Sequence, residues 1–321
     1  MGIGRREFLE SIAAGTAGMT LAGCAERIAT APKPAPASAA TTRPKPAIAS
    51  TFDPYETVTI GRTKIQTSLV GLGTGMKGWM RKSTQTRLGQ AGFTKLVRGA
   101  LERGVRCYDL ADLYGSHPFF AKAMKPVQRD KYTILTKIWW APRGVPEKER
   151  PDADVMVARF LKELQTDYLD VVQLHCVKEG DWPKKLRKQM DLLAELKRKG
   201  VIRAHGVSCH SLAALAAAAK EPWVDCVHAR INPYGERTDG TAGDVAFAVK
   251  SLEAAGKGVI GMKIMGQGAF RDSDEKRNNS IRFALRLKAV NTMVVGFENL
   301  DEIDDFAARV RKVRRPKLLT V

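Results

Sequence analysis

The strongest constraint on the fold is an alternation that recurs eight times along the chain. A short β-rich run is followed each time by a segment with the periodicity of a helix. Eight such units over about 270 residues predict an α/β protein with a (β/α)8 TIM barrel. The runs are SLVGLG (68–73), GVRCYDL (104–110), YTILTK (132–137), YLDVVQLH (168–175), RAHGVS (203–208), VDCVHARI (224–231), GVIGMK (258–263) and NTMVVG (291–296).

An open, doubly wound sheet is the alternative that the same alternation allows. That fold usually carries a G-x-G-x-x-G turn after its first strand, whereas GLGTGM (71–76) has glycines without a clear helix behind them. Ahead of the repeating units, TVTIGRTKIQTS (57–68) alternates around Gly61 and Arg62 and predicts a short N-terminal β-hairpin.

Titratable side chains stand at the C-terminal ends of three adjacent predicted strands. Asp109 and Tyr114 follow the second strand, Lys137 ends the third and His175 ends the fourth. A strand-end lysine is usually solvated, and a strand-end histidine often has only a local partner. Because TIM-barrel active sites lie at this rim, the convergence of all four predicts an active site.

The segments that carry these residues resemble the aldo-keto reductase family. YDLADLYG (108–115) is similar to the family's D-x-A-x-x-Y-G segment, and LTK (135–137) and QLH (173–175) are similar to its strand-three lysine and strand-four histidine. The resemblance runs from about residue 57 to residue 310. It implies an NAD(P)H-dependent oxidoreductase that reduces an aldehyde or ketone by hydride transfer, with Tyr114 as proton donor.

Acid–base chemistry agrees with these roles. A carbonyl that accepts hydride becomes an alkoxide and needs a proton, but a tyrosine hydroxyl, with a pKa of about 10, is a poor acid. The ammonium of Lys137 would favour the phenolate and lower the pKa of Tyr114. The carboxylate of Asp109 would hold that ammonium, and His175 would orient the carbonyl oxygen by a hydrogen bond.

The sequence departs from the family at the cofactor contacts. Cys209 stands where the family usually has Asn, and Met262 stands where it has the aromatic residue that stacks on nicotinamide. GFENLDE (296–302) is acidic and shows no Lys or Arg for a 2′-phosphate, so NAD(H) stays open beside the NADP(H) that the family implies. No metal is expected. The residues assigned to the cofactor are Ser208, His228 (where the family usually has Gln), Lys263, Gly296, Phe297 and Asn299.

Tryptophans follow several strands on the side of the predicted active site. Trp79, Trp139 and Trp140 are predicted to form a substrate pocket, with Trp182 on the same rim. Exposed aromatic rings at such a rim suit an apolar or aromatic carbonyl compound. The competing interpretation is a nicotinamide-binding sensor or structural envelope lipoprotein that keeps the barrel without turnover.

The N-terminus predicts export. Arg5-Arg6 precede Phe8-Leu9 and an uncharged stretch (11–23), which resembles a Tat signal, and LAGC (21–24) resembles a lipobox that would lipidate Cys24. The predicted segments are the signal (1–28), a Pro/Ala-rich linker (29–51) and the barrel (52–321). Together they predict a membrane-anchored, periplasmic or extracytoplasmic protein; a plain signal peptide with a chance cysteine is the alternative.

Charge and cysteines constrain the partners. The net charge is +19, but no basic helix interleaved with aromatic residues and no zinc-finger spacing appears, so no nucleic-acid partner is predicted. A small-molecule carbonyl substrate is expected, and nothing indicates an oligomeric state. The remaining cysteines form no C-x-x-C pair and are predicted to be small buried hydrophobic residues, with disulfides left open: Cys107, Cys176, Cys209 and Cys226.

Overall fold

A computed structural model describes residues 50–316 of the chain. The predicted signal and nearly all of the predicted linker, including Arg5, Arg6 and Cys24, lie outside the described residues. Within residues 50–316, no helix combines the length and the apolar character needed to cross a membrane.

Eight parallel strands close into a barrel, and each of the eight predicted runs supplies one of them. The first and last barrel strands pair with each other, which confirms the TIM barrel and excludes the open doubly wound sheet. The strands are β1 (Thr57–Thr59), β2 (Gln66–Ser68), β3 (Val70–Gly73), β4 (Cys107–Asp109), β5 (Thr133–Trp139), β6 (Leu169–Val177), β7 (Ile202–Cys209), β8 (Cys226–Arg230), β9 (Gly258–Met262) and β10 (Thr292–Val295).

Helices surround the barrel and pack their apolar faces against its outer surface. A short 3-10 turn, Asp112–Tyr114, follows β4. The helices are α1 (Gly89–Arg103), α2 (His117–Met124), α3 (Ala153–Leu164), α4 (Trp182–Lys185), α5 (Arg187–Arg198), α6 (Leu212–Lys220), α7 (Ala242–Ala254), α8 (Asp274–Arg286) and α9 (Leu300–Arg311).

The predicted hairpin is present and closes one end of the barrel. β1 and β2 pair antiparallel, and the turn between them carries Ile60 and Ile65, neither of which is exposed to solvent. Both isoleucines pack with Leu135 and other inward-facing residues of the barrel strands. Because this plug fills the N-terminal end, a ligand can enter only from the C-terminal ends of the strands.

The four cysteines of the described part are free. Cys107, Cys209 and Cys226 are buried, and Cys176 is partly exposed. Burial raises the pKa of the Cys107 and Cys226 thiols to about 12, so both behave as small neutral hydrophobic groups.

Candidate active site

The barrel brings the four predicted catalytic side chains together. Lys137 lies in β5 and His175 in β6, each two residues before the end of its strand rather than at the last residue. The ammonium of Lys137 donates hydrogen bonds to a carboxylate oxygen of Asp109 and, at 3.1 Å, to the carbonyl of Leu110. The hydroxyl of Tyr114 lies 3.4 Å from Nε2 of His175.

Asp109 forms the negative centre of this cluster. Burial alone would raise the pKa of its carboxyl, but the charges of Lys137 and His228 outweigh burial and hold the pKa below its ordinary value. Nε2 of His228 lies 3.0 Å from Oδ1 of Asp109. Burial lowers the pKa of Lys137, and Asp109 opposes that effect. Asp109 is therefore an ionised carboxylate across the neutral range.

Tyr114 differs from the sequence prediction in the direction of its pKa shift. Burial, with a further contribution from the charge of Asp109, raises the pKa of Tyr114 well above its ordinary value. The ammonium of Lys137 lies 5.2 Å from the centre of the Tyr114 ring and is engaged by Asp109, so burial and the charge of Asp109 decide the direction of the shift. The phenol is neutral and protonated.

His175 is also neutral. Burial, reinforced by the charge of Lys137, lowers the pKa of His175 well below its ordinary value. Its Nδ1 is buried without a hydrogen-bond partner in the described part of the chain. Tyr114 and His175 thus present one neutral hydroxyl and one neutral imidazole to the same space, which is suited to polarising an oxygen without holding a permanent charge.

A cavity of about 430 Å³ opens beside Tyr114. It runs from Asp109 and Tyr114 past the ends of β9 and β10 to the first turn of α9. Four of the residues assigned to the cofactor line it: Lys263, Gly296, Phe297 and Asn299. Ser208 and His228 are fully buried and do not line it, so their assignment to the cofactor stays a prediction.

The far end of this cavity holds arginines that the sequence analysis missed. Arg271, Arg277 and Arg309 line it, whereas the segment 296–302 contains no basic residue. Each arginine is ion-paired: Arg271 with Glu298 and Glu302, and Arg277 and Arg309 with Asp274 and Asp305. They come from α8, α9 and the loop before α8, so the acidic segment after β10 gave no sign of them.

The residues present fit a nicotinamide dinucleotide. Asn299 caps α9 by accepting a hydrogen bond from the backbone N–H of Glu302, and this helix start carries the partial positive charge that favours phosphate. Burial, and then the charges of Arg230 and Arg237, lower the pKa of Lys263 to about 8. Its ammonium bonds only the neutral Gln267 at 3.2 Å among the described residues, so it can accept an anion.

The tryptophans differ in exposure, and the assignment of Trp79, Trp139 and Trp140 to a substrate pocket stays a prediction. Only Trp79 is strongly exposed; Trp139 and Trp182 are buried, and Trp140 packs partly against the core. None of the four lines the cavity beside Tyr114. Trp139 nevertheless meets the site, because its ring contacts His175 edge-on at 5.2 Å and Trp79 at 5.9 Å between ring centres.

No group of three or more His, Cys, Asp or Glu side chains within residues 50–316 is arranged to hold a metal ion. The clustered side chains offer a phenol, an ammonium, a carboxylate and an imidazole.

Comparisons with known proteins agree with this geometry. The aldo-keto reductase YhdN of Bacillus subtilis is 32% identical over 170 residues, which cover 49% of this chain and 48% of that relative. Methylglyoxal reductase DkgB of Salmonella typhi is 31% identical over 114 residues, 35% of this chain and 40% of that relative. The chain thus spans about half the length, or less, of these curated relatives.

Solved structures show the same fold. A putative aldo-keto reductase from Pseudomonas aeruginosa superposes with a TM-score of 0.65 at 22% identity, covering 81% of this chain and 96% of that one. An aldo-keto reductase from Klebsiella pneumoniae in complex with NADPH gives 0.58 at 18% identity, covering 80% and 90%. The model of the aldo/keto reductase family matches residues 70–280, which include all four clustered side chains, and the chain belongs to that family.

Proposed function

We propose that the chain is an NAD(P)H-dependent oxidoreductase that reduces an aldehyde or ketone, with Tyr114 as the proton donor. One observation carries the proposal: a neutral phenol, a neutral imidazole and a buried ammonium–carboxylate pair lie together, and Tyr114 and Asp109 of this cluster line one end of a cavity. The names of two relatives, methylglyoxal reductase and aldo-keto reductase, are consistent with a carbonyl substrate.

The chain's own residues supply proton transfer and orientation. A bound nicotinamide supplies the hydride. The hydroxyl of Tyr114 gives its proton to the carbonyl oxygen as negative charge develops there, and Nε2 of His175, 3.4 Å from that hydroxyl, orients the same oxygen. Once the proton has left, the ammonium of Lys137 stabilises the phenolate. Asp109 keeps the ammonium in place by its hydrogen bond.

The cofactor would occupy the cavity that leads from Tyr114 to α9. Lys263 and the start of α9, with Gly296, Phe297 and Asn299, would hold its phosphates and adenosine. The buried hydroxyl of Ser208, which has no hydrogen-bond partner in the described part of the chain, suits the nicotinamide amide. The NADPH in the Klebsiella structure supports NADP(H), and the carboxylates around the arginines also admit NAD(H).

Consumption of NADPH or NADH with methylglyoxal and with an aromatic aldehyde tests the proposal. We expect Tyr114→Phe to lower kcat by about 10²-fold or more, the scale of a positioned acid, while cofactor binding measured by fluorescence titration is retained. Tyr168→Phe, on the opposite end of the barrel, is the matched control and should keep full activity. Equal rates for Tyr114→Phe and the parent would remove Tyr114 from the mechanism.

A nicotinamide-binding protein without turnover is the second candidate. Cys209 and Met262 at family cofactor positions favour it, because altered contacts can hold a nicotinamide without placing it for hydride transfer. Tight cofactor binding with no consumption across a panel of aldehydes and ketones would establish this candidate. Absence of binding to either cofactor would reject both.

We also propose that the protein is exported by the Tat route and anchored through Cys24. The support is the Arg5-Arg6 pair, the uncharged stretch 11–23 and LAGC (21–24). Fractionation of cells tests it: Arg5-Arg6→Lys-Lys should remain in the cytoplasm, and Cys24→Ala should become a soluble envelope protein. Membrane-bound protein in both variants would refute the signal and the anchor.

A further inference from the structure

The loop between β3 and α1 lies directly against the ring of Tyr114. A Cβ atom on Gly75 would stand 2.2 Å from Cε2 of that ring, and one on Gly78 would stand 2.5 Å from Cδ1. The bare backbone of the loop therefore borders both edges of the ring. Any displacement of the loop would open space beside the phenol and release its orientation.

A strained turn follows these glycines. Trp79 and Lys82 exchange backbone hydrogen bonds of 2.8 and 3.0 Å, so Met80 and Arg81 form the tip of a tight turn. Met80 has φ of 47° and Arg81 has φ of 55°, a region that bulky L residues rarely adopt. Two adjacent residues of this kind persist only where surrounding contacts hold them.

Arg81 makes those contacts, and all but one of them go to the turn that carries Tyr114. Its backbone N–H donates to the carbonyl of Leu113 at 2.9 Å, and its Nε donates to Asp112 at 3.1 Å. A Cβ on Gly115 would stand 2.0 Å from the carbonyl oxygen of Arg81, so the two backbones touch. Arg81 thus contacts the chain on both sides of Tyr114.

Charged groups on other elements hold Arg81 and its partner Asp112 in place. Asp112 is 2% exposed and also forms an ion pair with the guanidinium of Arg159, from α3, at 2.8 Å. The guanidinium of Arg81 bonds Glu149 as well, in the loop before α3. A planar guanidinium can serve two carboxylates in different directions at once, which the single ammonium of a lysine does not reproduce.

We infer that Arg81 is a positioning residue for Tyr114: its strained turn and its bonds to Asp112 and Glu149 set where the phenol stands relative to His175. The inference rests on the proposed function, in which Tyr114 donates the proton. Without the Arg81 side chain, the bonds to Asp112 and Glu149 are lost and backbone contacts alone hold the turn, so that it can relax and Gly75 and Gly78 can leave the ring. Proton transfer from a displaced phenol slows steeply, because a misplacement of about 1 Å costs about 10²-fold in rate.

Kinetics of Arg81→Ala, Arg81→Lys and Arg87→Ala provide the first test. Arg87 lies in the same loop, is exposed and makes no ion pair in the described part of the chain, so Arg87→Ala is the matched control. We expect Arg81→Ala to lower kcat by about 10–10²-fold with KM little changed. Arg81→Lys should recover only part of the loss, whereas added guanidinium ion should restore activity to Arg81→Ala. A kcat of Arg81→Ala equal to that of Arg87→Ala would overturn the inference.

A signal from Tyr114 itself provides the second test and needs no turnover. In protein labelled at tyrosine Cζ with carbon-13, the Tyr114 resonance is identified by its loss in Tyr114→Phe. It should shift or broaden in Arg81→Ala and stay in place in Arg87→Ala. If the parent protein reduces no carbonyl, the proposed function fails while this signal still decides the positioning role. An unmoved resonance in Arg81→Ala refutes that role.

Glu149→Gln covers the case in which Arg81→Ala does not fold. The side chain of Glu149 is 38% exposed, so its substitution leaves the core intact while it removes one of the two carboxylates that hold Arg81. We expect a smaller fall in kcat and a smaller shift of the Tyr114 resonance than a full loss of Arg81 would cause. No change in either would contradict the inference.

Discussion

Replacing Lys137 by Met separates the structural role of the buried ion pair from its role in proton transfer. Lys137 is 1% exposed and Asp109 is 6% exposed. Methionine keeps much of the length of the side chain and removes the ammonium. Asp109 would then be left as a buried carboxylate that, among residues 50–316, keeps Nε2 of His228 at 3.0 Å as its ion-pair neighbour.

The size of the effect follows from two limits. Removing one partner of a buried ion pair costs about 3–5 kcal/mol of unfolding free energy. The unpaired carboxylate of Asp109 can instead take up a proton. At pH 7 this protonation costs about 4 kcal/mol of free energy for a group with an ordinary pKa of about 3.9. We therefore expect Lys137→Met to lose about 3–4 kcal/mol at pH 7, measured by urea denaturation followed by circular dichroism.

The unfolding free energies of the parent and of Lys137→Met should depend differently on pH. In the parent, the lowered pKa of Asp109 contributes stability above the ordinary carboxyl pKa, and this contribution is lost only as pH falls through the lowered value. In Lys137→Met the pKa of Asp109 rises, so the carboxyl is protonated earlier as pH falls. The stability gap between the two proteins should shrink from pH 7 towards pH 4.

A double variant completes the design. Asp109→Asn combined with Lys137→Met removes both charges and should recover most of the lost stability, because a neutral pair leaves no buried charge uncompensated. Its carbonyl reduction should remain impaired, because no ammonium is left to stabilise the phenolate. A Lys137→Met protein within about 1 kcal/mol of the parent at pH 7, or a double variant less stable than the single one, would contradict this role of the buried ion pair.

Three further predictions concern pH, backbone conformation and the closed end of the barrel. Because burial raises the pKa of Tyr114, kcat for reduction at saturating cofactor should not fall between pH 7 and about 10. The KM for the cofactor should rise above about pH 8, because Lys263 loses its positive charge there. Steady-state pH profiles measure both quantities. Gly115→Ala should lower the unfolding free energy by more than about 1 kcal/mol, measured by thermal melting, because Gly115 has φ of 64° and a Cβ would meet Arg81. Asp170→Asn should lower it by about 1.5–3 kcal/mol with kcat unchanged, because Asp170 bonds two arginines at 2.6 Å at the end of the barrel away from the site; a changed kcat would contradict this placement.

The strand order and the catalytic cluster could be predicted because both depend on local patterns. Each of the eight runs is a short β-rich segment between helical segments, and a parallel barrel places all of their C-terminal ends at one rim. Asp109, Lys137 and His175 needed only this rule to be brought together. Tyr114 needed the family's segment as well, since it stands five residues beyond the end of β4.

Features that depend on packing between distant segments could not be predicted. Trp182 looks like a loop residue in the sequence, but it begins α4 and is buried, donating its indole N–H to Ala214 at 3.3 Å. Arg271 reaches the cavity only because its loop packs beside the start of α9. Burial depth is likewise a property of the whole fold, which is why the direction of the Tyr114 pKa shift was predicted wrongly.

In the proposed mechanism, burial makes the phenolate of Tyr114 costly to form, and the ammonium of Lys137 offsets part of that cost. Before transfer, the ammonium is occupied by Asp109 and the carbonyl of Leu110, and the phenol beside it stays protonated. In that mechanism, the departing proton leaves negative charge on the phenolate, whose ring centre lies 5.2 Å from the ammonium, in surroundings where burial strengthens their attraction. The stabilisation therefore grows along the reaction and is greatest when charge has formed. An interaction that strengthens towards the transition state raises kcat, whereas one already present with the neutral phenol would not.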